Sequence, residues 1–224
     1  MVPSAVRRSS AVEPDSAEMR GALDHAAIRA DDLAAGRFDG AAVSVGVVDW
    51  ETGESSALFS GSVGAVGRHG ESFTAELLSA KLELEREIVP RTSPACRAEF
   101  CGPGCTLSPA RFTHELTLDQ ADAARTAVRF AGADPEALVF GRLRWLDGAD
   151  VGLEFGIVAN QGDWLMLDRP LPADPPPGAR ALVLEGCDHT LATCSARFGN
   201  AVNFQGEPFL PGNDLLVRYG NPAT

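Results

Sequence analysis

The chain's five cysteines fall into two groups about ninety residues apart. PACRAEFCGPGCTL (94–107) carries Cys96, Cys101 and Cys105, and GCDHTLATCSARFGN (186–200) carries Cys187 and Cys194. Free cysteine is a common small core residue, but packing alone gives no reason for such clustering beside glycines and a helix start. An odd number of thiols favours thiol or metal chemistry over a disulfide framework. Four thiolates can hold zinc or an iron–sulfur cluster. Cys101 and Cys105 suit the short spacing of zinc pairs, whereas Cys187 and Cys194 do not. Wider spacings suit a larger cluster somewhat better, and spacing alone leaves both metals open. A Cys194–His189 nucleophile pair is a third reading, but five helical residues turn about 140°, so the two side chains would not face each other.

The elements that must position these residues follow from their neighbours. RALVLEG (180–186) reads as a strand running straight into Cys187, and a helix follows. Seven residues rise about 10.5 Å within a helix, too far for two thiolates on one small site. Cys187 is therefore expected on the strand end and Cys194 in the second turn of the helix. Asp188 or Thr190 is the expected N-cap. The free N–H groups of a helix start favour an anionic group. Gly102, Pro103 and Gly104 make the other cysteine group a loop able to wrap a site closely.

Upstream of that strand, FTHELTL (112–118) reads as a strand, and DQADAARTAV (119–128) as a short helix or a polar strand with a loop. LVFGRLRWLDG and VGLEFGIVANQGDWLMLDRPL read as hairpin strands with turns at LDGADVG and NQGD. PADPPPGA is a rigid loop. The first half starts with a polar arm, and residues 16–41 predict a helical stretch, with Leu23, Ala27, Ile28 and Leu33 near helical spacing. Asp31 and Asp32 are placed to cap a second short helix. AAVSVGVVDW reads as a strand ending in a turn at DWETGE, and strands continue to residue 85. RHGE is a hairpin turn, with Phe73, Ala75 and Leu77 on one face. The expected division is 1–90 and 91–224: a β-rich domain, then a cysteine-bearing one.

Composition bounds the function classes. The 224 residues are 45% hydrophobic, enough for a sizeable core, and the net charge is −12. That charge disfavours generic nucleic-acid binding, while an acidic wall would repel a passing polyanion and keep it mobile. Lys81 is the only lysine. No apolar run is long enough for a transmembrane helix, so no membrane insertion is expected, and the start has no signal-peptide core. His25, His69 and His114 read as surface or turn residues, and Glu83, Glu85 and Glu87 as a solvated face. Neither a cofactor loop nor a convergent acid/base set stands out, so the chain is expected not to be an enzyme.

The region from Gly186 onward resembles the C-terminal signature of the tail-tip (baseplate) hub proteins of phages and gene transfer agents. The matching residues are Gly186-Cys187-Asp188, Cys194, Arg197-Phe198-Gly199-Asn200, Asn203-Phe204-Gln205-Gly206 and Pro211-Gly212-Asn213-Asp214. GALDHAAIRADDLAAGRFDGAAVSVGVVDW is similar to the family's N-terminal half, so the resemblance covers roughly residues 15–216. It implies a mainly β (α+β) structural protein, with a β-barrel or sheet-rich N-terminal part, truncated at its start, and a β C-terminal domain with a short helix. The chain is also similar to the tail-tip protein L of phage lambda, with its four-cysteine [4Fe-4S] cluster. Carried over, the implied ligands are Cys96, Cys105, Cys187 and Cys194, with Cys101 spare and zinc the alternative metal. The resemblance further implies a homotrimer at the end of the tail tube, assembled in a bacterial cytoplasm. Its partners would be a distal tail protein and tail-tip or fibre proteins, with DNA passing through its lumen without specific binding. The rival classes are a zinc-stapled interaction module and a metal or redox enzyme.

Overall fold

The computed structural model describes residues 2–3, 16–22, 28–85, 89–172 and 174–210. The chain divides into two compact units, Met1–Val89 and Pro90–Thr224.

The first unit is built on hairpin chemistry. β4 (Ser55–His69) and β5 (Ser72–Ser79) meet at Gly70 and Glu71. Gly70 sits at φ 60°, a left-handed conformation that glycine adopts without a Cβ clash. β5 alternates strictly, and Phe73, Ala75 and Leu77 are each 1% exposed. β3 (Ala42–Val48) lies on the far side of β4, and β2 (Ser16–Ala22) on the far side of β5. β1 (Val2–Pro3) adds a two-residue edge, giving the order β1-β2-β5-β4-β3. Phe59, Val63 and Ala17 join the buried face, and Ile28 and Leu33 pack against it beside the short helix α1 (Ala30–Ala34). Asp31 and Asp32 occupy the first turn of α1, where carboxylates suit the helix dipole.

The stretch 16–41, read as holding a helical segment, contains α1 but opens with a strand over Ser16–Ala22. Ala17 and Gly21 are buried and alternate with Arg20 outside, a period-two pattern among residues of good helix propensity. Pairing with β5 along the whole strand overrides that propensity. Gly21 lies directly over the Phe73 ring, where a Cβ would collide with it. Leu23, His25, Ala27 and Glu87 lie outside the described residues, as do the side chains of Glu83 and Glu85 and the segment Pro211-Gly212-Asn213-Asp214.

The second unit is a closed six-stranded barrel in the order β10-β7-β6-β11-β8-β9. Its strands are β6 (Thr113–Asp122), β7 (Ala127–Phe130), β8 (Arg142–Trp145), β9 (Glu154–Gln161), β10 (Trp164–Leu167) and β11 (Arg180–Leu184). The barrel thus lies here, and the N-terminal unit carries the open sheet. DQADAARTAV is the end of β6, a turn and the start of β7, the strand alternative of the sequence reading. β8 shows the pattern best: Leu143 and Trp145 are 0% and 1% exposed while Arg142 and Arg144 face out. Val128, Phe155, Ile157, Leu165, Ala181 and Val183 fill the interior. One outer tie crosses three strand regions: Asp147 accepts from the Arg180 N–H at 2.9 Å and its Nε at 3.0 Å, and Arg180 also reaches Glu115 at 2.9 Å. Those bonds from Arg180 hold the Asp147 carboxyl below its ordinary range.

Candidate metal centre

β11 ends at Leu184, and Gly186 follows it against the Val139 carbonyl, leaving no room for a Cβ. Cys187 comes next, before the helix α4 (Leu191–Ala196), and Cys194 lies inside that helix; both are buried. Thr190 is the N-cap, its hydroxyl accepting from the Thr193 N–H at 3.2 Å. Asp188 supports the cap: its carboxylate accepts from the Thr190 N–H and hydroxyl, both at 2.9 Å, and from the Thr193 hydroxyl at 2.8 Å. Burial pushes the Asp188 carboxyl up, but those donors outweigh it and the net shift is downward.

Two clasps bring the distant cysteine loop onto this junction. In the first, the Cys96 N–H donates to the His189 carbonyl at 2.8 Å, and His189 Nδ1 donates back to the Cys96 carbonyl at 3.0 Å. His189 holds φ 60° to do so. One ring nitrogen of His189 therefore serves Cys96. In the second, the buried Asn200 accepts nothing from the loop but donates to it. Its Nδ2 reaches the Cys105 carbonyl at 2.6 Å and Cys105 Sγ at 3.7 Å, while its backbone N–H bonds the Cys194 carbonyl at 3.0 Å. Asn203 Nδ2 fixes the Asn200 amide by donating to Oδ1 at 2.7 Å.

The segment that follows closes the far side. Gln205 N–H donates to Cys96 Sγ at 3.4 Å, its carbonyl accepts from Arg97 N–H at 3.0 Å, and its Nε2 reaches the Gly104 carbonyl at 3.0 Å. The His189 N–H likewise points at Cys187 Sγ at 3.4 Å. Gly206 approaches so closely that a Cβ would lie 2.6 Å from the Ala95 carbonyl. Glu207 ends the strap, taking Arg97 at 2.7 Å and the Ser93 N–H at 2.8 Å. Three of the five thiols thus receive N–H donors, an arrangement that stabilises sulfur carrying negative charge.

An apolar shell backs the site. Phe100, Phe112 and Phe198 form a three-ring cluster with centroids 4.8 to 5.4 Å apart, and Cys187 is buried among them. Burial pushes the Cys187 thiol up, opposed by the His189 N–H, with Asp188, Cys105 and Cys96 adding to the rise. Burial also raises Cys194, and the neighbouring Cys187, Cys96 and Cys105 raise it further. Cys101 is pushed up to about 11 by burial, then by Cys105, Glu185 and Cys187. Cys194 thus feels Cys96, Cys105 and Cys187, and Cys101, at φ 60°, feels Cys105 and Cys187 and packs with Cys105 against the phenylalanine cluster.

Among the described residues, no three or more His, Cys, Asp or Glu side chains are gathered into a site for a single metal ion. A tetrahedral zinc with bonds of about 2.3 Å needs its sulfurs about 3.8 Å apart. A cluster with several irons occupies the space between its thiolates and takes them further apart. Soft sulfur ligands, N–H groups aimed at sulfur and an aromatic wall suit a thiolate-bound zinc or an iron–sulfur cluster alike. The residues that sequence reasoning had not assigned to the site are His189, Asn200, Gln205 and Glu207. Asn200 and Gln205 stood in the signature from 186 onward, but nothing in their spacing revealed that they grip the loop at 96–105.

Outside the site, His114 is on β6, donating from Nε2 to Glu185 at 2.8 Å, and Glu185 also takes Arg197 at 2.5 Å. His69 ends β4 and is exposed. No helix among the described residues is long and apolar enough to cross a membrane.

Comparison with known proteins gives three results. Residues 1–108 match the family model described as a baseplate hub protein N-terminal attachment domain. Residues 137–214 match a phage conserved hypothetical protein family. A chain from the virion of a native gene transfer agent (GTA) particle is similar with 33% identity and a TM-score of 0.83, over 100% of this chain and 80% of that one. No curated protein matches.

Proposed function

From the premise that this chain belongs to the baseplate hub family of phages and gene transfer agents, we propose that it is a tail hub subunit whose second unit is stapled by a four-cysteine iron–sulfur cluster. It is a structural protein of the baseplate hub type and a component of a virion or gene transfer agent particle. The finer reading assigns Cys96, Cys105, Cys187 and Cys194 as the ligands of a [4Fe-4S] cluster.

The convergence of the two cysteine segments carries this reading. The clasps at His189 and Asn200 join chain segments about ninety residues apart. Burial disfavours ionisation of Cys194, and the neighbouring Cys187, Cys96 and Cys105 disfavour it further. When bound, a cluster supplies positive charge to offset four thiolates, two of them buried, and its binding free energy contributes directly to folding. Asn200 and Gln205 hold the loop, and the N–H groups of His189 and Gln205 stabilise charge on Cys187 and Cys96. The phenylalanine shell limits water access. Nothing in this arrangement calls for turnover, and the role is a staple with no catalytic step.

In the particle, the subunit would assemble as a homotrimer between a distal tail protein and tail-tip or fibre proteins, with DNA crossing its lumen unbound. The net charge of −12 supports passage without adhesion.

The deciding experiment is anaerobic purification followed by iron, sulfide and zinc analysis per chain. About four irons and four sulfides are expected. Cys194→Ala should abolish the iron, and Cys101→Ala should keep it. Zinc without iron, or a chain that binds neither, overturns the cluster. Equal iron loss in both variants overturns the assignment of Cys101 as spare.

A further inference from the structure

The hairpin joining β3 to β4 reaches beyond its own sheet. β4 pairs with β5 only from Gly61 onward, so, among the described residues, 55–60 have no strand beside them except β3. The β3–β4 register shifts at the base of this stretch: Val45 faces Phe59 and Gly46 faces Ala57, leaving Leu58 as the extra residue. Such a bulge bends and twists the ribbon. Gly46 permits the close approach, since a Cβ there would lie 2.8 Å from the Ser56 carbonyl.

Beyond the bulge burial stops. Phe59 is 4% exposed, yet every residue from 46 to 58 is exposed. Val47, Val48 and Trp50 are 54%, 67% and 87% exposed. Val47 and Val48 are consecutive in a strand, so they point to opposite faces, and a single covering layer cannot bury both. A two-stranded ribbon is marginal in water without a covering layer.

The tip is nevertheless well organised. The Asp49 carboxylate accepts from the N–H groups of Glu51 at 2.8 Å and Thr52 at 3.4 Å. The Gly53 N–H bonds the Asp49 carbonyl at 2.8 Å, and the Asp49 N–H bonds that of Glu54 at 2.8 Å. Trp50 is thus presented on an ordered turn, which lowers the entropy lost on binding. Across residues 42–62 the only charged side chains are Asp49, Glu51 and Glu54.

We propose that this hairpin is a docking arm that seats Trp50 in an apolar slot edged by arginine or lysine on a different protein of the particle. An exposed tryptophan is the commonest kind of interface anchor. Its ring attracts a cation placed over its face, and the three carboxylates steer a basic partner. A second copy of this chain brings a net charge of −12, which makes it the less favourable source of that basic edge. The inference does not depend on the cysteines and goes beyond the staple; it rests on the chain's place in a tailed particle.

The test uses particles made in a producing bacterium whose hub gene is replaced by variants. Trp50→Ala, and separately the double variant Glu51→Lys with Glu54→Lys, should lower the yield of tailed particles about tenfold or more. Both variants should keep the melting temperature of the purified chain, and Trp50→Phe should retain most of the yield. A photoreactive benzoylphenylalanine in place of Trp50 should cross-link within the particle to a different polypeptide, at a peptide containing arginine or lysine. Wild-type yield from Trp50→Ala overturns the arm and leaves the hub reading standing. Cross-linking to a second copy, or a changed oligomeric state of the purified Trp50→Ala chain, overturns the choice of partner. Absence of the wild-type chain from particles overturns the arm and the hub reading together.

Discussion

In the second unit β10 pairs with both β9 and β7, so six strands close on themselves and leave no open edge. In the first unit β3 and the two-residue β1 are the edges of an open sheet among the described residues. Burial follows the same division. Leu143, Val128, Ala181 and Val183 are completely buried inside the barrel, whereas β3 has no buried residue. A closed barrel satisfies its backbone internally; an open sheet offers unpaired N–H and C=O groups to a neighbour. One unit can complete itself, and its remaining demand is the sulfur site beside α4. The other, among its described strands, has open edges and carries the hairpin proposed as a docking arm.

The largest effects that sharpen this comparison are in the two cores. Phe73→Ala should cost about 3–5 kcal/mol and Leu143→Ala about 2–5 kcal/mol. Amide exchange should locate each loss: β2, β4 and β5 for Phe73, and β8, β9 and β11 for Leu143. If Phe73→Ala speeds exchange equally across β6–β11, the contrast between the units fails.

Asn200→Ala comes next, at about 1–3 kcal/mol, because the Cys105 carbonyl and the Asn203 amide lose a buried partner. Alkylation of Cys105 in metal-free protein should become faster. Unchanged alkylation would mean that the loop is held by Gln205 and His189 alone.

The smallest effect is electrostatic. Arg180 holds Asp147 below its ordinary range, so the folded carboxyl titrates below the unfolded one. Its contribution is therefore present above about pH 4 and lost as pH falls through the depressed folded value. Melting temperatures at pH 6 and below pH 3 test this: Asp147→Asn should lie below wild type at pH 6 and converge with it in acid. A gap that persists in acid would assign the tie to Arg180 and Glu115.

Much of this was legible in the residues. Alternation marked β5, the segments of β8 and β11 read as strands, and the turn residues at Gly70 and Gly162 marked two hairpins. The distance argument correctly put Cys187 before α4 and Cys194 within it. The stretch at 16–22 was misread because Ala, Glu, Met and Arg favour helices locally, and only its neighbour β5 makes it a strand. Closure of the barrel was not legible either, since it depends on β10 returning to β7, a pairing between segments far apart in sequence.

The sequence by itself determined what is local: strand period, turn positions, a cap at Asp188 or Thr190 and the clustering of thiols into two groups. Tertiary structure decided which groups meet. His189 turns to Cys96, Asn200 bridges Cys194 and Cys105, and Gln205 reaches Cys96 and Gly104. The physical reason is range. A side chain's conformational preference is written in its neighbours, but its hydrogen-bond partner across about a hundred residues is chosen by the packing that brings the two backbones together.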